Sequence, residues 1–258
     1  MNNGSWPTLL AAALGGGATV KFIEIVYDQF RRWRDRREVD AKVVDRNLES
    51  LLRAADELVG KLRSLGEQDF LPLRKRKQEG LDDEGFASVV YLFVQFWSEV
   101  EIVRQRGLSV DVARSKRGRQ TQAFFRCLES RKLRLIDRIS QRAIGESALV
   151  DGRTMNFVEY IRYFDCDPYA RRWAAPLIEI LSSTWDTGSR QLILQYLVVL
   201  HAMIDTLDPK HLVTRDRPGI PNKLSVKSWK ELNYRVFRLY LPDLRDSHKY
   251  IGPPKRRP

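Results

Sequence analysis

The chain has 258 residues, enough to bury the core of one large domain or two small ones. Hydrophobic residues make up 43% and charged residues 30%, a balance that excludes wholesale disorder. The formal net charge is +12, so the partners that composition favours are polyanions: nucleic acid, or the anionic cytoplasmic leaflet of a membrane.

The first segment is the most distinctive. From Trp6 to Val20 there is no charge, and the apolar character continues through Lys21 and Glu24 to Tyr27. Fifteen helical residues reach only about 23 Å, short of a hydrocarbon core of roughly 30 Å; extension to Tyr27 gives about 33 Å. Lys21 and Glu24 are spaced to pair and to snorkel, and Trp6 and Tyr27 fall where interfacial aromatic rings are favoured. Leu9, Leu10, Leu14, Gly16, Val20 and Ile23 lie between them as the anchoring residues. Arg31, Arg32, Arg34, Arg36 and Arg37 follow at once, while nothing before Trp6 is charged. This asymmetry predicts a short outside N-terminus and a cytoplasmic main domain, with the five arginines against anionic lipid or another polyanion. A cleaved signal peptide fits poorly, because no positive region precedes the apolar run. A flat interfacial helix is the alternative to a single span, and Gly15–Gly17 would let two copies approach closely as a homo-oligomer.

The remainder reads as all-α. Val44, Leu48, Leu51, Leu52, Ala55, Leu58, Val59 and Leu62 recur at helical spacing, predicting an amphipathic helix over 38–66. The stretch 66–80 is loop-like. Residues 84–106 form the most apolar segment; its uncharged run ends at Ser98, so a core helix is expected rather than a second span. A helix over 120–149 is expected to point Phe124, Phe125, Leu128, Leu135, Ile136 and Ile139 inward. Its outer face would carry Arg126, Arg131, Lys132, Arg134 and Arg138. Helices over 154–164, 168–182, 188–206 and 225–240 follow, with Asp151, Asp167 and Asp186 as capping or turn residues. The expected organisation is therefore a membrane anchor over 1–30, a compact multi-helix cytoplasmic domain over 31–245, and a basic Pro-rich tail over 246–258.

Chemistry-bearing motifs are sparse. Gly15–Gly17 lacks the spacing of a nucleotide-binding loop, and no nucleophile elbow is present. Cys127 and Cys166 are isolated and read as reduced, buried thiols. No cofactor or metal is assigned. The one suggestive cluster lies in residues 201–218, where His201 and Asp205 are spaced i,i+4 and Asp208, His211 and Asp216 follow. Such a set suits metal binding or acid–base work, although its spacing matches no defined motif. The plainer reading has Asp208 turning the chain before Pro209, Asp205 near the helix end, and Arg215 and Arg217 pairing with acids. Basic runs at Arg31–Arg37, Arg74–Lys77, Arg114–Arg119 and Lys255–Arg257 match anionic lipid, or the backbone of a nucleic acid, though no reading motif for the latter is present.

At LLRAADELVGKLRSL (51–65), QRAIGE (141–146) and VVLHAMIDTLDPKHLVTRDRP (198–218) the chain resembles a group of bacterial proteins in which a short N-terminal apolar segment leads into a helical domain. The resemblance implies a bacterial, membrane-anchored protein and carries no catalytic residue with it. The function expected is thus a membrane-anchored helical scaffold or interaction protein with an unidentified protein partner. A nucleic-acid-associated protein is the first alternative. A metal-dependent or acid–base enzyme using His201, Asp205 and His211 is the second.

Overall fold

A computed structural model describes residues 48–74, 81–107, 115–244 and 246–253. The chain divides into two units, Met1–Val43 and Val44–Pro258. The anchoring residues Trp6 to Tyr27 and the five arginines after Phe30 belong to the first unit and lie outside the described residues, as do Lys75–Lys77, Arg114 and Lys255–Arg257.

The second unit is mainly helical. Helix α1 covers residues 48–67, and its Leu48, Leu51, Leu52, Ala55, Leu58, Val59 and Leu62 are buried, as their spacing predicts. Asp69 and Phe70 take positive φ before the short helix α2, Leu71–Arg74. Helix α3, Glu84–Ile102, begins at Asp83, whose carboxylate accepts from Phe86 N–H, and runs into a π turn, Val103–Gly107. The segment Glu84–Gln105 is long and apolar enough to cross a membrane, yet 72% of its most apolar window is buried within the protein. Phe86, Val89, Val90, Phe93, Val94, Phe96 and Trp97 make it the centre of the core.

The expected single helix over 120–149 is two helices: α4, Lys116–Leu128, and α5, Arg138–Ser147. Asp137 ends the connecting turn by accepting from the Ile139 and Ser140 amides, which starts α5. Leu133, Leu135 and Ile136 are buried from the turn itself, so an apolar pattern produced by two helices and a loop imitates one long period. Ile139, expected inward, is 71% exposed. The basic run 114–119, whose glycine suggests a loop, instead places Lys116, Arg117 and Arg119 at the start of α4 after the Ser115 cap.

Helix α5 lies closely on α3. A Cβ at Gly145 would stand 2.7 Å from Trp97 O, and Ser98 Oγ, which bonds Val94 O, also reaches Gly145 O. Only glycine permits that approach. Strands β1, Leu149–Val150, and β2, Arg153–Thr154, pair antiparallel around Asp151 and Gly152, both at positive φ, an Asp-Gly hairpin turn. Helix α6, Phe157–Cys166, carries a capping box between Asn156 and Glu159, and α7, Pro168–Ser182, follows the Asp167 cap with Pro168 in its first turn. Cys127 is buried, and burial pushes its thiol up to about 12. Cys166, expected buried, is exposed.

Helix α8, Thr187–Leu207, starts at the Asp186 cap and is buried along most of its length from Ile193 onward. It packs on α4, and Tyr196 accepts a 2.9 Å hydrogen bond from Trp97 Nε1 within the core. Helix α9, Val226–Lys230, continues through a π segment, Glu231–Phe237, into α10, Arg238–Tyr240. Beyond the expected domain boundary at 245, helix α11, His248–Ile251, packs against α8 and buries Tyr250 and Ile251. Trp229 Nε1 donates to Gly252 O behind it. The helical body therefore extends into the first half of what composition assigns to a tail.

Candidate functional site

The 201–218 segment is assembled by the end of α8 and the loop after it. His201 and Asp205 share one face of α8, one turn apart. Asp208 then ends the helix, and its carboxylate gathers four donors: the backbone amides of Leu212, Val213 and Thr214, and the Thr214 hydroxyl. Burial opposes ionisation of Asp208, but these bonds outweigh it and hold its pKa below the usual carboxylate range. The wound loop places His211 at a φ of 49° and returns it toward Asp205. Backbone strain of this kind is tolerated where surrounding bonds over-determine it, and Asp208 supplies them.

The three residues singled out by spacing are brought together. His201 Nε2 and His211 Nε2 each lie 3.7 Å from Asp205 Oδ1, and His211 Nε2 lies 3.6 Å from Asp216 Oδ1. These are ion-pair distances, too long for hydrogen bonds. His211 Nδ1 is 3.1 Å from Thr214 Oγ1. Because the Thr214 hydroxyl donates to Asp208, its oxygen accepts from His211 Nδ1–H, which turns Nε2 toward Asp205 and Asp216. His201 is 6% exposed, and burial, opposed by Asp205, lowers its pKa. Its Nε2 and Asp205 Oδ1 are both buried without a hydrogen-bond partner.

The other carboxylate oxygen of Asp205 is fully engaged. Lys249 Nζ lies 2.5 Å from Oδ2, and Tyr250 donates its hydroxyl to the same oxygen at 3.1 Å. Burial, and then the charge of Asp205, raises the Tyr250 pKa. The Tyr250 ring meets His201 edge-on at 5.4 Å. Lys249 and Tyr250 lie more than forty residues away in sequence, and no local spacing points to them. Asp205 and Tyr250 border a cleft of about 850 Å³ whose rim carries Lys116, Arg119, Tyr240 and Leu244. His201 instead borders a cavity of about 10 Å³, room for about one water molecule.

Chemically, two imidazoles and a carboxylate at these separations can exchange protons or hold a small polar molecule. Among the described residues no group of three or more His, Cys, Asp or Glu side chains is placed to hold a metal ion. The adjacent acids Asp82 and Asp83 suggest no separate acid–base pair, since the Asp83 carboxylate caps α3 by accepting from the Phe86 amide. No family model, curated protein or solved structure matches the chain.

Proposed function

We propose that the protein is a membrane-held helical interaction protein whose described body serves as a scaffold at the cytoplasmic face. The observation that carries this reading is how the His201–Asp205–His211 cluster is used. The buried carboxylate of Asp205 is tied by Lys249 and Tyr250 and fastens α11 to α8, so a group with catalytic potential acts as a clasp. The membrane component rests on the sequence: the apolar run from Trp6 to Tyr27, and the arginines from Arg31 to Arg37. The division into an anchor over 1–30 and a helical domain is part of the same proposal.

Fractionation of cells expressing the full chain tests it. Expected is recovery in the membrane pellet, release by detergent, and no release by 1 M salt. Recovery in the soluble fraction at low salt without detergent overturns it. Binding to duplex or single-stranded oligonucleotides that weakens steeply with salt would favour the nucleic-acid alternative instead.

A second reading has its own observation. The unpartnered His201 Nε2 and Asp205 Oδ1 face each other inside the protein, an arrangement suited to acid–base work with His211. Under that reading His211→Gln abolishes an activity while the melting temperature stays put; unchanged activity removes it.

A further inference from the structure

We propose that the turn joining α4 to α5 is a second membrane-contact surface, built to lie against an anionic bilayer. The inference rests on the membrane-held reading and names a partner for a surface lying outside the N-terminal segment.

The sequence around the turn alternates anchors with cations. Leu133, Leu135 and Ile136 are buried, at 0%, 7% and 7% exposure, and the Leu133 and Arg134 amides both bond to Ser130 O. With its apolar side chains fixed inside, the turn directs Arg131, Lys132 and Arg138 into solvent, leaves Arg134 half-buried at its edge, and follows exposed Arg126 on α4. The neighbouring carboxylates are already committed. Glu129 pairs with Arg104 and Arg142. Asp137 is occupied by the Ile139 and Ser140 amides and the Ser140 hydroxyl, which outweigh the little burial it has and keep it ionised. Glu231 binds Arg235 and stands 3.7 Å from Lys132. Arg131, Arg134 and Arg138 make no ion pair within 4 Å among the described residues, although the charge of Arg134 adds to the bonds that keep Asp137 ionised.

A basic surface alone suits any polyanion. The feature that selects a bilayer is Ile139, directly after Arg138 and 71% exposed. A large aliphatic side chain has nothing to gain from a phosphodiester backbone, whereas beside arginines it can enter the headgroup–acyl boundary as they meet anionic headgroups. Base stacking, the usual apolar contribution to single-strand binding, calls for an aromatic ring, and there is none between Arg126 and Arg142.

The test uses the full chain with Cys166→Ser, and Ile139→Cys carrying a thiol-linked NBD fluorophore; Cys127 is buried and stays unlabelled. The protein is reconstituted into vesicles of phosphatidylcholine, or of phosphatidylcholine with 30% phosphatidylglycerol, each containing a headgroup-quencher lipid. Flotation with both vesicle types reports the N-terminal anchor, which needs no anionic lipid. Quenching at position 139 reports the turn. The expected result is flotation in both, quenching in the anionic vesicles only, and roughly tenfold less quenching after Arg131→Glu, Arg134→Glu and Arg138→Glu together. Circular dichroism of the triple variant confirms that it folds. Flotation without quenching in anionic vesicles overturns this proposal and leaves the anchor intact, whereas loss of flotation in phosphatidylcholine overturns the anchor. Equal quenching in the triple variant, or arginine-dependent binding of a 20-base-pair duplex without lipid quenching, also overturns it.

Discussion

Around Arg104 and around Asp205 the helical body buries two clusters of charge, and it completes them differently. Arg104 is 17% exposed and reaches Glu101 at 2.5 Å and Glu129 at 2.6 Å, while Arg142 adds a contact to Glu129. Neither glutamate leaves a buried oxygen unpartnered. Burial nonetheless raises the Glu101 pKa against the pull of Arg104, so the cluster works against the cost of removing charge from water. Around Asp205 one oxygen is doubly held and the other faces two imidazoles at 3.7 Å with no hydrogen bond. The closed network ties α3 and the π turn after it to the end of α4 and to α5. The open one also joins two helices but keeps a titratable side to spare.

The largest effect should come from breaking the closed cluster. Arg104→Met leaves Glu101 and Glu129 buried without their main counter-charge, and urea denaturation should show a loss of about 3–5 kcal/mol. At the open cluster Asp205→Asn releases Lys249 and weakens the Tyr250 bond. A loss of about 2 kcal/mol is expected, with faster amide exchange confined to residues 248–252. If Asp205→Asn costs as much as Arg104→Met, the contrast fails.

Acid sharpens the comparison further. Native His201 binds a proton less readily than in the unfolded chain, where its pKa is near 6.5. Its neutral form thus contributes stability that is fully present above about 6.5 and is lost as pH falls from there toward the lower native value. Urea midpoints at pH 7.5 and 5.5 should differ more for the wild type than for His201→Gln. An identical pH dependence would show that the side chain facing Asp205 titrates as it does unfolded. The smallest effect belongs to the exposed turn: Arg131→Glu should move stability by no more than about 0.5 kcal/mol.

Local chemistry made much of this readable in advance. Helix α7 runs over the expected residues because Asp167 caps it and Pro168 suits its first turn. The i,i+4 spacing of His201 and Asp205 placed them on one face, and His211 does return to them. The break between α4 and α5 was hidden by the buried Leu133, Leu135 and Ile136, which continue a helical period through a turn; the Asp137 cap was the available signal. Lys249 and Tyr250 gave no signal, because their partnership with Asp205 exists only after tertiary packing. Arg217 pairs with an acid, as its place among the acids of the 201–218 segment suggests, but its partner, Asp56 on α1, lies 161 residues away where no local spacing points to it.

The glycine contact between α3 and α5 has a consequence for how the protein opens. With Gly145 pressed on the Trp97 carbonyl and Ser98 bonded to Gly145 O, neither helix can peel away without breaking that shared bond and exposing its partner's backbone. The two helices therefore constitute a single foldon: the amides of 94–98 should exchange with the same opening free energy as those of 142–146, despite belonging to different segments of chain.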